Sequence, residues 1–528
     1  MKQHVRARRG LKRALALVST IAVAATLVVA SGGAATADSY GPSTMYTPPA
    51  GTPTPGVLYP RALQLKHSGA ANGTMLATFE QYTNGTPVFP IFRSGDSGRT
   101  WSQISSVSDT VNGWGLRFQP FLYELPSAVG AYPAGTVLAF GNSIPADGSA
   151  TKIDVYASTN QGASWNFVSS VATGGAASID PGGTSIWEPF ALVRNGKLIV
   201  YYADSRDQAH NQKIVHQTTT NLTSWGPVVN DVANPNYNDR PGMPVVAALP
   251  NGTWIMTYEY CGAPQGGCAI YYKISNDPES WQDKTPLVLA NTEGAVPGSS
   301  PFVVWMPSGG PNGTIAVSAM SSGGLFLNTA LGEPGRWIEV PTPVSGGYSR
   351  SLVPLADGRT LFIISAGYIG GQNKVTYGAV DLGGVSLTNN ATYTLVNRNS
   401  NLVLGVQNAS TADGAPALQW NDTGTPDHRW TFQQLATGFW KIRNANSGKV
   451  LGITNMSTAN GATALQWSDN GTPDHEWIMA PYPGGGYAFV NRVSGKRLEI
   501  GNASTVPGAL AQQWGNTNCS CQAWGLRP

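Results

Sequence analysis

Two glutamates stand in aromatic surroundings, Glu188 in Ser185-Ile186-Trp187-Glu188-Pro189-Phe190 and Glu259 in Tyr258-Glu259-Tyr260-Cys261. A pair of carboxyls is what acetal hydrolysis needs: one protonates the leaving oxygen, and the other attacks or activates water. The apolar setting of Trp187, Pro189 and Phe190 raises a carboxyl pKa, as an acid requires. Glu188 is therefore expected to be the acid and Glu259 the carboxylate that attacks or activates water, with Tyr258 and Tyr260 hydrogen-bonding the ionised Glu259. The plainer reading of two glutamates among 29 acidic residues is hydrogen-bonded acids at strand ends. Asp204, Arg206, Asp207 and Arg240 are candidates to line the same cleft or to brace it, and Trp114, between Gly113 and Gly115, is a candidate sugar platform. Arg61 and Arg350 carry the fork that binds a carboxylate through two hydrogen bonds. His67, His210 and His216 form no metal-ligand cluster, so neither a metal nor any other cofactor is expected.

Positioning such a pair requires a rigid frame, and the composition says which. Charged residues are 12% of the 528, about half the usual ~25%, while 63 Gly and 37 Pro accompany 16 Trp and 20 Tyr. Coiled coil and disorder are excluded by that balance, and short strands joined by Gly/Pro turns are favoured. The expected fold class is all-β. Ser94-Gly95-Asp96-Ser97-Gly98-Arg99-Thr100-Trp101 matches the Asp box in full, and Ser158-Thr159-Asn160-Gln161-Gly162-Ala163-Ser164-Trp165 nearly so. Weaker copies end at Trp225, Trp281 and Trp337, giving Trp spacings of 64, 60, 56 and 56 residues, the size of a four-stranded blade. In such a box Asp or Asn caps a hairpin turn, Gly takes a positive φ and Trp packs between blades. Five boxes and a further strand set around Ser351–Leu387 predict a six-bladed β-propeller over residues 38–384. Asn195-Gly196 and Asn251-Gly252 turns lead into clear strands within it. Glu188 starts one blade and Glu259 lies in the next, so both can enter one cleft.

After a linker at residues 385–391, the chain repeats with a fixed period. Trp420, Trp467 and Trp514 are 47 residues apart, as are Trp430, Trp477 and Trp524, and Asn397, Asn444 and Asn491. Three such copies predict a β-trefoil over residues 392–528, with the regularly spaced Trp residues in its core. Polar pockets are expected where Asn421-Asp422 meets Asp427-His428 and where Ser468-Asp469 meets Asp474-His475.

Six basic residues fall within the first 13, followed by an apolar run from Leu15 to Ala30 and by Ala35-Thr36-Ala37. Residues 1–37 read as a secretory signal, and the run is short of the ~20 residues that span a bilayer. Without it the chain has 26 basic against 29 acidic residues, with no basic footprint for nucleic acid. A secreted, extracellular monomer with no membrane or nucleic-acid partner is expected. In an exported chain the four cysteines suggest disulfides. Cys261 and Cys268 bracket a short loop and are expected to pair, whereas the one-residue spacing of Cys519 and Cys521 strains a mutual bridge.

Residues 58–386 resemble glycoside hydrolase family 93, the exo-α-1,5-L-arabinanases within the sialidase-like propellers. The resemblance rests on Ile186-Trp187-Glu188-Pro189-Phe190, on Tyr201-Tyr202-Ala203-Asp204-Ser205-Arg206-Asp207, and on Asp239-Arg240-Pro241-Gly242-Met243-Pro244-Val245-Val246 running on to Tyr258-Glu259-Tyr260-Cys261. It implies a retaining hydrolase that releases arabinobiose from the non-reducing end of linear arabinan, with Glu188 and Glu259 as its catalytic pair, acid/base and nucleophile in turn. Residues 392–528 resemble ricin B-type lectins, or carbohydrate-binding module family 13, through Gln512-Gln513-Trp514. Where such lectins usually place an Asp after the early Leu, this chain has Gly405, Gly452 and Glu499, which makes Glu499 with Trp514 the candidate sugar site. The implied partner is plant cell-wall arabinan. Two rivals remain: an exo-sialidase using Arg61 and Arg350, and a lectin of two binding modules without catalysis.

Overall fold

The computed structural model describes residues 39–528, so the signal reading of residues 1–37 lies outside the described residues. Residues 40–381 form six antiparallel sheets of four strands, numbered here as blades I to VI. Their innermost strands are Val57–Gln64, Leu116–Glu124, Ile186–Arg194, Arg240–Ala248, Phe302–Met306 and Ser351–Pro354. Successive inner strands touch around the ring, and the sixth returns to the first. The sequence places a sixth strand set near Ser351–Leu387, but the fourth strand of blade VI comes from elsewhere. Tyr40–Tyr46 pairs antiparallel with Val375–Asp381 and closes the ring. Nothing in Tyr-Gly-Pro-Ser-Thr-Met-Tyr alternates, because an outermost strand with four exposed residues in succession needs no apolar face.

Each Asp box fastens its blade to the one before. Asp96 accepts the N–H groups of Arg99 at 3.1 Å and Thr100 at 2.9 Å. Gly98 has φ +85, and a Cβ there would meet Phe362 of blade VI at 2.7 Å. Trp101 lies against the same ring, with centroids 5.7 Å apart. From the preceding blade, a hydroxyl reaches a backbone carbonyl of the box or of the turn that replaces it. Tyr377 donates to Arg99 O at 2.7 Å, Ser105 to Gly162 O at 2.5 Å, and Tyr272 to Gly332 O at 2.7 Å.

A second repeat sits at the axis. One residue in or just ahead of each inner strand has left-handed backbone: Tyr59 (φ 48), Gln119 (58), Glu188 (67), Met243 (55), Ser300 (52) and Ser349 (58). The pairing register slips at this point in blades I to IV, marking a β-bulge in each. Proline follows in five of the six, at Pro60, Pro120, Pro189, Pro244 and Pro301. Proline cannot donate to the ladder, so it suits a bulge where pairing is already interrupted.

The trefoil core is threefold. Trp430, Trp477 and Trp524 are fully buried, and their indole N–H groups donate to Leu404, Leu451 and Leu498 carbonyls at 2.9, 3.0 and 3.0 Å. The other set departs from the expectation of a core role: Trp420, Trp467 and Trp514 are 43%, 41% and 37% exposed. The buried residue beside each is Gln419, Gln466 or Gln513, whose amide donates to two carbonyls of the neighbouring repeat. Burying the amide leaves the following Trp on the outer face of its strand, since successive side chains alternate.

Propeller and trefoil belong to one compact unit. Ile478, Tyr482 and Val490 join the propeller's apolar core, Thr329 donates to Met479 O at 2.9 Å, and the Arg336 guanidinium covers Phe439 at 3.7 Å. The connecting segment is packed: Tyr393 donates to Ser386 O at 3.0 Å and Tyr487 to Val385 O at 3.1 Å. Among the described residues no helix is long and apolar enough to cross a membrane.

Removing a core indole should therefore differ from removing a surface one. Trp430→Ala is expected to cost about 3–5 kcal/mol and Trp420→Ala less than about 1 kcal/mol. Urea unfolding followed by far-UV circular dichroism measures both, and equal costs would contradict the division of the Trp residues.

Candidate active site

Glu188 occupies the bulge position of blade III, where its neighbours in blades II and IV carry Gln119 and Met243. Its left-handed backbone turns both of its ends to use. The Glu188 N–H donates to Gln119 Oε1 at 3.0 Å, and its carboxylate Oε2 accepts the Met243 N–H at 2.5 Å. Glu259 lies on the second strand of blade IV, paired with Gly242. Its Oε2 accepts the Ser299 hydroxyl at 2.8 Å and the Ser300 N–H, from the left-handed residue just ahead of blade V's inner strand, at 2.9 Å.

Between the two carboxyls stands Gly242. A Cβ on it would lie 2.9 Å from Glu188 Oε2, 3.7 Å from Glu259 Oε1 and 2.8 Å from Gln212 Nε2. Residues at the same place before the bulge in blades I, II and III are Leu58, Phe118 and Trp187. Blade IV alone of these four leaves the space empty, so the two carboxyls face each other across it. They open into a cavity of about 370 Å³ walled by Leu58, Tyr82, Phe118, Trp187, Tyr348 and the Cys261–Cys268 disulfide, with Arg240 at one side.

Burial and the charge of Glu259 push the Glu188 carboxyl up to about 8, against the pull of the Met243 N–H and Arg240. Burial also raises Glu259, opposed by Ser300, Ser299 and Arg240. Two like charges sharing one buried site disfavour each other's ionisation, so burial and mutual repulsion favour a proton on one of the pair. Glu259, with two donors on one oxygen, is the better anion. Glu188 is the better acid.

A third carboxyl shares the cavity. Glu80 is 3% exposed, accepts the Gln119 N–H at 2.8 Å and the Tyr82 hydroxyl at 3.3 Å, and is pushed up to about 7 by burial. The sequence does carry a signal for it: Thr78-Phe79-Glu80 repeats the pattern of Thr257-Tyr258-Glu259. Gln119, Gly242, Ser299 and Ser300 are likewise seen only once the bulges are in place.

Of the residues expected around the pair, the structure brings Arg240 to the cleft, where it donates to Gln212 Oε1 at 3.0 Å. Tyr258 points the other way and is buried against Tyr271, because strand neighbours alternate sides. Tyr260 donates to Asp239 at 2.5 Å rather than to Glu259. Asp204 and Arg206 pair with each other, at 2.9 and 2.7 Å, and with Tyr202, bracing blade III outside the cleft. Trp114 sits on a loop whose N–H groups are gathered by Asp109, away from the cavity wall. Arg61 donates to Pro60 O and to Ser349, and Arg350 to the carbonyls of Gly323, Gly324 and Val344. Both arginines are buried clasps between blades, which removes the carboxylate-binding cluster on which a sialidase reading relies. Among the described residues no cluster suited to a metal ion occurs.

In the trefoil, each exposed Trp borders its own depression. Trp420 with Asp427 and His428 lines one of about 400 Å³, and Trp467 with Asp474 and His475 one of about 420 Å³. The His rings fill the room left by glycine, since a Cβ on Gly405 or Gly452 would meet His428 or His475 at 2.3 or 2.4 Å. In the third repeat Glu499 and Gln522 replace that Gly–His pair. Glu499 accepts from the Gln512 and Gln522 amides at 2.8 and 2.9 Å, and the depression beside Trp514 shrinks to about 210 Å³. The carboxylate expected to hold sugar thus already accepts two side-chain amides of its own repeat. Cys261 pairs with Cys268 as expected. Cys519 and Cys521 are also bonded to each other, across a short 3-10 turn that sets their Cα atoms 5.1 Å apart.

The ricin-type β-trefoil lectin domain-like family model matches residues 382–467, 426–514 and 473–528. An α-L-arabinanase of Penicillium chrysogenum, solved with arabinobiose, is 48% identical with a TM-score of 0.63, over 65% of this chain and 98% of that one. The GH93 α-L-arabinofuranosidase of Fusarium graminearum, also solved with arabinobiose, is 45% identical with a TM-score of 0.63, over 65% and 98%. The Fusarium enzyme has been solved with an iminosugar inhibitor as well. No curated protein matches the chain in sequence. Propeller, carboxyl pair and trefoil together define a glycoside hydrolase with an appended lectin domain. The chain belongs to glycoside hydrolase family 93.

Gly242→Ala tests the gap between the carboxyls. The added methyl displaces Glu188 or Gln212 while leaving the blade paired, so kcat is expected to fall on the order of 10²-fold with little change in Tm. Unchanged kcat would show that the gap is not needed.

Proposed function

We propose that the protein is a secreted exo-α-1,5-L-arabinanase that releases arabinobiose from the non-reducing end of linear arabinan with retention of configuration. The observation that carries this reading is the pair Glu188 and Glu259 facing each other over Gly242, in a propeller 45–48% identical to enzymes solved with arabinobiose.

In the first step Glu259 attacks the anomeric carbon while protonated Glu188 gives its proton to the departing glycosidic oxygen. The C–O bond to the remaining chain breaks and a glycosyl ester forms on Glu259. In the second step ionised Glu188 takes a proton from water, whose oxygen attacks the same carbon and frees Glu259. The donors on Glu259 from Ser299 and Ser300 favour the anion that must attack. The apolar burial of Glu188 favours the protonated form needed to start.

Retention calls for carboxyls about 5–5.5 Å apart, and proton NMR of the first-formed product checks it: the anomer released should match that of the substrate. Azide should restore turnover to Glu188→Ala and Glu259→Ala with opposite product anomers, only the Glu259 variant giving the inverted glycosyl azide. A time course on linear 1,5-arabinan separates exo from endo attack, since arabinobiose alone from the earliest points is the expected result and a ladder of oligomers the contrary one.

The pH dependence follows from the raised Glu188 carboxyl, about 8 in place of the ordinary 4.5. Below that value Glu188 keeps its proton, so kcat/KM is expected to hold and then to fall as pH rises through about 8. The same shift means the folded state binds this proton more tightly than the unfolded one, so its contribution to stability is fully present below about 4.5 and is lost progressively as pH rises from there through about 8. In Glu259→Gln the like charge is gone, and carbon-13 NMR should show Glu188 titrating at lower pH.

The trefoil is proposed to hold the enzyme on plant cell-wall polysaccharide through the depressions beside Trp420 and Trp467. Weak sites on one chain raise the local substrate concentration for the propeller. Replacing both Trp residues by Ala should reduce retention on insoluble arabinan several-fold, with the rate on a soluble oligosaccharide as the reference.

A further inference from the structure

We infer that Glu80 is a substrate-binding residue that grips the hydroxyls of the second sugar unit, the one beyond the sugar joined to Glu259. This rests on the arabinanase reading of the same cavity. Glu80 is the internal counterpart of Glu259. Each ends a Thr-aromatic-Glu run on the second strand of its blade, and each pairs with the residue before a bulge, Leu58 for Glu80 and Gly242 for Glu259. Each accepts the N–H of the next blade's left-handed residue, from Gln119 at 2.8 Å and from Ser300 at 2.9 Å. Blades I and IV are three steps apart in a ring of six, so the two carboxyls enter the one cavity from opposite sides of the axis.

The differences between them assign the role. Gly242 opens Glu259 towards Glu188, whereas Leu58 occupies that place in blade I. Glu80 has no carboxyl partner across a gap and cannot form an acid and nucleophile pair of its own. Its remaining chemistry is hydrogen bonding. Oε1 is held by Gln119, but Oε2 has only the Tyr82 hydroxyl, at 3.3 Å. The neighbouring cation, Arg61, spends its Nη groups on Pro60 and Ser349. A buried carboxyl with so little compensation is costly to keep, and hydroxyls of a bound sugar supply what is missing. Tyr82 and Phe118, with centroids 6.0 Å apart, flank it with an apolar wall for the C–H face of a furanose ring. At about 370 Å³ the cavity falls in the range that takes ligands larger than a single pentose.

The test compares kcat/KM on an aryl α-L-arabinofuranoside, with one sugar before the bond, and on the aryl α-1,5-arabinobioside, with two. Glu80→Gln is expected to lower the two-sugar value roughly tenfold to a hundredfold more than the one-sugar value, as for a lost hydrogen bond to a charged group. Tyr82→Phe, which disturbs only the donor on Oε2, should shift the same ratio less, and Tm confirms that both variants fold. Equal losses on the two substrates would overturn the inference, because Glu80 would then act through Gln119 on Glu188. An unchanged ratio with unchanged rates would overturn it as well. A wild-type protein inactive on both substrates would overturn the arabinanase reading and the inference with it, a result distinct from an active enzyme whose ratio does not move.

Discussion

Each of the six inner strands carries one left-handed residue in it or just ahead of it, in four of them at a bulge, and the site depends on that concession. A non-glycine residue with positive φ costs of order 1–3 kcal/mol, and a hydrogen bond to a charged group contributes about 1.5–3 kcal/mol. The two nearly cancel, so such a residue persists where its turned N–H finds a strong acceptor. In blades II, IV and V that acceptor is a glutamate of the preceding blade: Glu80, Glu188 and Glu259 in turn. The residues proposed to do the chemistry are therefore also the ones that hold neighbouring strands in register at the axis. Their positions are fixed by backbone donors, which do not swing as side chains do, and this is the preorganisation that acid and nucleophile require.

Much of this was legible in the sequence. Asp boxes and the 47-residue period announced two all-β domains because turn chemistry and core Trp residues recur at fixed spacing. Glu188 and Glu259 were singled out by their aromatic neighbours, of which Trp187 lines the cavity while Tyr258 and Tyr260 do not. What failed was side-chain direction. Tyr258 looked like a partner for Glu259 but faces the opposite side of its strand. Arg61 and Arg350 looked free to bind a carboxylate, yet both spend their donors on backbone carbonyls between blades. Trp420 and Trp430 share one period and differ in exposure, because periodicity reports that a position recurs and not which face it occupies. Glu80 was passed over although Thr78-Phe79-Glu80 repeats Thr257-Tyr258-Glu259, and so were the prolines that follow five of the six left-handed residues.

The trefoil is joined to the propeller by a shared apolar core and a packed connecting segment. The linker expected from its Gly and Asn residues is therefore no tether. If polysaccharide is held beside Trp420 or Trp467 as proposed, it meets the cavity of Glu188 and Glu259 from a fixed direction, so reach is set by the fold and not by chain fluctuation.

Closing blade VI with Tyr40–Tyr46 has a consequence for how the chain is made. The strand that completes the ring is the first of the described elements to be synthesised, and its partner, Val375–Asp381, follows more than 300 residues later. Contacts so distant in sequence are slow to form because a long loop must be closed first. Until then blade I has no blade VI to lean on, and Phe362 and Tyr377 are not yet present to cover Trp101. The growing propeller is thus an open horseshoe with exposed strand edges, and its first and last segments must be kept from pairing elsewhere until they meet.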